Sequence, residues 1–110
     1  MNDQNKEKAP KAYPTRKTLG ASAFEPYRVL GIAIRRDAIK ARLDIFDLAE
    51  RSGWDWQTVR RIMVGTRRTD FVELLIIASI LSANQEEVEK LVANWAREVF
   101  GFIRQDIHSK

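Results

Sequence analysis

The chain has 110 residues, enough for one compact domain and too few for two ordinary ones. Its 45% apolar and 31% charged residues suit a globular protein, and the lack of any cysteine excludes a disulfide framework or a cysteine metal site. A net charge of +4 permits a polyanionic partner.

The charge is unevenly spread. Residues 1–22 hold five Lys/Arg against two acids, and residues 35–68 hold nine against five. Residues 69–98 reverse the balance, two against six. A basic binding face in the first two thirds is the natural reading, with acidic helices behind it. No run approaches 18 apolar residues and no apolar leader opens the chain, so a cytoplasmic protein is expected.

Residues 1–22 are polar and contain Pro10, Pro14 and Gly20, which predicts a flexible basic tail. Lys6, Lys8, Lys11, Arg16 and Lys17 would make it either a phosphate-touching arm or a leader without a role. From Glu25, with Pro26 in a first helical turn, Tyr27, Leu30, Ile34, Ala38 and Ala41 repeat at three- and four-residue steps. They predict one apolar helical face ending near Arg42. Asp44 is the expected N-cap of a short second helix over 45–51, with Asp47 at the third helical position making an imperfect capping box and Leu48 and Ala49 inward. Ser52-Gly53 breaks it.

Asp55 predicts the cap of a third helix over 56–64, with Val59 and Ile62 inward and Gly65 at its left-handed end. The basic loop Thr66-Arg67-Arg68-Thr69 follows. Asp70 with Glu73 forms a capping box for a mostly buried fourth helix over 71–81. Asn84 with Glu87 caps a fifth helix from Gln85, ending near Phe100 or, through Gly101, near Arg104. No alternating run predicts a strand, and the fold class is all-α.

The segment LAERSGWDWQTVRRIMVG, Leu48–Gly65, resembles the phage repressor and Cro helix-turn-helix family, also called the XRE or lambda-repressor-like family. Leu48, Ala49, Ser52, Gly53, Val59, Ile62, Gly65, Leu74, Leu75, Ala78 and Leu81 fall on the family pattern without a gap, as do Leu30, Gly31, Ile34 and Leu43 before them. The resemblance spans about 30–88. It implies a five-helix DNA-binding domain over 23–92, followed here by a helical extension over 93–110. It also implies that the third helix enters the major groove of double-stranded DNA.

Carried over by position, the base-facing residues are Trp56, Gln57, Arg60 and Arg61. Their chemistry fits: arginine offers a fork to guanine, and glutamine can bridge the adenine edge. Arg67 and Arg68 are the expected phosphate clamps.

The chain departs from the family at four places. Ile45 stands where a phosphate-contacting Gln is frequent. Asp55 replaces a Ser or Thr cap and brings a charge that repels phosphate. Trp56 occupies an exposed reading position, where it could touch thymine methyls or sugars, meet a protein partner, or fold back on Trp54, itself expected in the core. Met63 and Ala38 replace a Glu–Arg pair together, which predicts that the two pack against each other.

Leu91, Trp95, Val99, Phe102 and Ile103 continue an apolar stripe past the family domain. It either folds onto the first helix or pairs with a second copy, and a homodimer on two half-sites is the expectation. His108, the only histidine, reads as a tail residue. Nothing suggests catalysis, a metal or a cofactor. Two functions compete: a repressor that reads a palindromic operator, and an antitoxin or adaptor that uses the same domain to hold a protein such as a toxin.

Overall fold

The computed structural model describes residues 24–108. Five helices follow in order: α1 Glu25–Lys40, α2 Ile45–Ser52, α3 Trp56–Val64, α4 Phe71–Leu81 and α5 Gln85–His108. No strand occurs among the described residues, which form an all-α fold. The expected basic tail, 1–22, lies outside the described residues.

The helix starts follow from short polar side chains that satisfy otherwise unpaired N–H groups. Asp44 accepts from Phe46 N and Asp47 N, while Asp47 accepts from Asp44 N, a reciprocal capping box. Asp70 and Glu73 form the second such box. At α5 the arrangement is displaced outward: Asn84 accepts from Glu87 N, but Glu87 reaches back to Ala83 N.

The first helix stops earlier than its apolar spacing suggests. Arg42 adopts a left-handed conformation at φ 61°. Leu43 N donates to Ala38 O at 3.0 Å and Arg42 N to Ile39 O at 2.9 Å, which closes the end as a Schellman motif without glycine. Ala41 is therefore the C-cap and is exposed, rather than part of the inward face. Gly65 closes α3 in the same way at φ 75°, with Thr66 N bonded to Arg61 O.

The core gathers Leu30, Ala33, Ile34 and Ala38 of α1, Leu48 and Ala49 of α2, Val59, Ile62 and Met63 of α3, Ile77 and Ala78 of α4, and Trp95 of α5. Trp54, expected within the core, is half-buried and packs against it. Helix α1 packs against both α3 and α5, α2 against α3 and α4, and α4 against α5. The α1–α3 approach is set by Gly31, because a Cβ there would overlap the carbonyls of Ile62 and Met63. Helix α4 is less buried than its composition suggests: Phe71 and Val72 are exposed, and only Ile77 and Ala78 are fully inside.

Helix α5 is continuous from Gln85 to His108, well past the expected end. It runs uninterrupted through the expected boundary at 92/93, and Trp95, beyond that boundary, is fully buried. Its indole Nε1 donates to Asp37 Oδ2 at 2.6 Å. Arg36 bridges Asp37 and Glu98, so a polar clasp flanks the apolar contact between α1 and α5. The stripe through Trp95 and Val99 thus folds onto its own chain.

Candidate nucleic-acid interface

Helices α2 and α3 meet through a tight turn. Gly53 sits at φ 82°, where an L side chain is strained, and its N–H donates to Ala49 O at 2.9 Å. Ser52 Oγ donates to Ala49 O and accepts from Trp54 N, which ties the turn on both sides. Asp55 Oδ1 then accepts from Gln57 N, starting α3.

Helix α3 buries Val59, Ile62 and Met63. A helical repeat of 3.6 residues therefore turns Gln57, Arg60, Arg61 and Val64 away from the core, and all four are exposed. Gln57 and Arg61 lie one turn apart, with an Arg61 nitrogen 3.4 Å from Gln57 Oε1. Arg60 and Arg61 form no ion pair among the described residues, whereas Arg28, Arg36 and Arg67 all do. The outward face of α3 thus presents two uncompensated guanidinium groups and one carboxamide.

Trp56 opens α3 and is 41% exposed. It does not fold back on Trp54. Its ring packs instead on Phe46 of α2, with centroids 5.6 Å apart and planes at 45°. Phe46 had no role in the sequence reading, since an exposed apolar residue near a helix start has no periodic partner to reveal it. The pair makes an exposed aromatic corner beside Gln57.

The two loop arginines differ from their expected equivalence. Arg67 forks onto Glu73, with Nη1 2.8 Å from Oε1 and Nη2 3.0 Å from Oε2. These bonds raise the Arg67 pKa despite opposition from partial burial. Glu73 also accepts from Asp70 N, so Arg67 is built into the cap of α4. Arg68 is half-buried in the same loop.

The helix starts are already occupied by acids. The Asp44 carboxyl is held below its ordinary value, first by the backbone N–H of Asp47 and further by the side chain of Asp47 and by Phe46 N–H. Asp55 and Asp70 fill the same position on α3 and α4. An acidic side chain thus sits at each of these three starts, where its charge opposes an incoming anion, so side-chain cations are the groups better suited to meet one.

Ala38 and Met63 belong to one buried cluster and line one groove, in agreement with the expected pairing. Among the described residues no helix is long and apolar enough to cross a membrane, and no group of His, Asp and Glu could hold a metal ion. No family model, curated protein or solved structure matches the chain.

Proposed function

We propose that the protein is a sequence-specific DNA-binding regulator, a repressor that lays α3 in the major groove of a palindromic operator as a homodimer. The observation that carries this reading is the outward face of α3. Gln57, Arg60 and Arg61 share it, both arginines lack a carboxylate partner among the described residues, and the opposite face is core. Arginine and glutamine are the side chains best able to form paired hydrogen bonds with guanine and adenine edges. The helix-turn-helix resemblance of the sequence points to the same helix. Dimerisation is supported by the far end of α5, where Phe100 is 57% and Ile107 60% exposed after Trp95 and Val99 have been used against α1.

The test is selection from random duplex DNA at fixed salt. A recovered palindrome supports the reading, its operator-sized spacing and the dimer together. Arg61→Ala should then reduce preference for that sequence by roughly 1–3 kcal/mol, while Arg68→Ala should weaken all duplexes alike. Unchanged selectivity in Arg61→Ala counts against the role of α3.

A second reading is favoured by the aromatic corner. Exposed Phe46 and Trp56 in contact give α2 and α3 an apolar surface of the kind found at protein interfaces. An antitoxin or adaptor would bind its partner through this corner. Failure of any duplex to bind at low salt, with a purified partner lost on Trp56→Ala, favours it over DNA reading.

A further inference from the structure

A groove of about 410 Å³ lies between the C-terminal half of α1, the turn after it and the last turn of α3. Its walls and floor are Ala38, Ile39, Leu43, Ile45, Met63 and Val64. Ala38 and Met63 are almost fully buried, at 1% and 8%, and form the floor; Ile39 and Val64 are exposed and form the mouth.

The polar groups of the groove are three. Arg35 comes from α1 and Arg60 from α3, and neither forms a hydrogen bond or ion pair among the described residues. The third is Asp44, whose Oδ1 is engaged by Phe46 N at 3.0 Å and Asp47 N at 2.9 Å. The groove is therefore apolar within, with two guanidinium groups on facing helices against one carboxylate, that of the helix cap Asp44, which leaves it net positive. A pocket of this size falls in the range that holds small ligands, and convergent polar groups set their orientation.

We propose that this groove binds an amphipathic carboxylate, a medium-chain fatty acid, with its tail on Ile39, Leu43, Ile45 and Val64 and its carboxylate between Arg35 and Arg60. Arginine prefers a carboxylate because its planar fork matches two oxygens. A cationic or neutral head would leave both guanidinium groups unanswered. Because Arg60 also stands on the outward face of α3, occupancy withdraws one cation from that face. The regulatory consequence rests on the DNA-binding reading above; the binding itself does not. Binding and regulation are linked reciprocally, so duplex DNA should weaken the ligand as the ligand weakens DNA.

The experiment is calorimetric titration of the full chain with decanoate, kept below its micelle-forming concentration, and with decyltrimethylammonium as the cation of equal tail. Saturable one-to-one binding of decanoate, with a Kd on the order of 100 µM for so small a ligand, and none of the cation, is the expected result. Arg35→Gln should weaken decanoate by about fivefold or more, with unchanged thermal unfolding because Arg35 is exposed. Ile39→Asp, also at an exposed position, should abolish binding by placing a carboxylate at the mouth. No saturable heat with decanoate, equal binding of the cation, or full affinity in Arg35→Gln overturns the proposal. Decanoate should also weaken the selected duplex by about fivefold or more. Ligand binding without this effect retains the site and overturns only the coupling, and failure of DNA binding altogether leaves the calorimetric result to decide the site.

Discussion

Backbone conformation at three positions decides how tightly the helices can be joined. Gly53 and Gly65 both have positive φ, at 82° and 75°, but their surroundings differ. A Cβ at Gly53 would meet open space, whereas at Gly65 it would collide with the backbone of Arg28. Gly53→Ala should therefore cost only the left-handed strain, roughly 1–2 kcal/mol. Gly65→Ala adds overpacking against α1 and should cost roughly 2–5 kcal/mol. Arg42 carries the same strain without being glycine, so Arg42→Gly should raise stability by roughly 0.5–1 kcal/mol. Urea midpoints of the three variants check the order, and a stabilising Gly65→Ala contradicts it. Both glycines are legible as turn residues from their positions after helical runs. The collision at Gly65 is not, because its partner Arg28 is 37 residues away.

At the scale of elements, the loop between α3 and α4 is held by its own ion pair. Arg67 and Glu73 are 34% and 21% exposed, so screening reduces but does not remove the value of their two-point contact. Arg67→Ala should lower stability by about 1 kcal/mol, measured by thermal unfolding. If duplex binding holds, the same variant should keep affinity within about twofold once it is measured well below its melting temperature, since Arg67 is committed to Glu73. A loss as large as that of Arg61→Ala, with an unchanged melting curve, would restore Arg67 as a phosphate contact. The spacing Asp70–Glu73 made the cap readable in the sequence. That Glu73 would also capture Arg67 was not readable, because two basic residues in a loop after a candidate reading helix suit phosphate equally well.

Across the whole molecule, α1 is the strut between the presented face and the terminal helix: it packs on α3 by one side and on α5 by another. Trp95 and Asp37 join α1 to α5 at the edge of the core, 58 residues apart in sequence. Burial pushes the Asp37 carboxyl up, but hydrogen bonds from Arg36 and Trp95, aided by the charges of Arg36 and Lys40, bring it below its ordinary value. A carboxylate depressed in the folded state contributes stability that is complete above its unfolded pKa, about 3.9. That contribution is lost as pH falls through this value toward the folded one. Asp44, also depressed, loses its contribution over the same acid range. Trp95→Phe should cost roughly 2–4 kcal/mol near neutral pH, from the lost hydrogen bond and lost volume. It should also flatten the acid limb, because Asp37 loses one of the bonds that depress it. Urea midpoints between about pH 6 and pH 2 check both effects; an acid limb as steep as that of the parent would remove Trp95 as a cause.

The sequence by itself determined what depends on neighbours within four or five residues. Asp44, Asp55, Asp70 and Asn84 mark the helix starts because a short acceptor there meets the first free N–H groups of its own helix. The inward positions Val59 and Ile62 follow from the helical repeat, and with them the outward Gln57, Arg60 and Arg61. Tertiary structure alone decided that Trp95 meets Asp37, that Trp56 leans on Phe46, and that Arg35 and Arg60 line one groove. Those pairings depend on where helices cross, which a one-dimensional pattern does not encode; for α1 and α3 the close approach rests on Gly31.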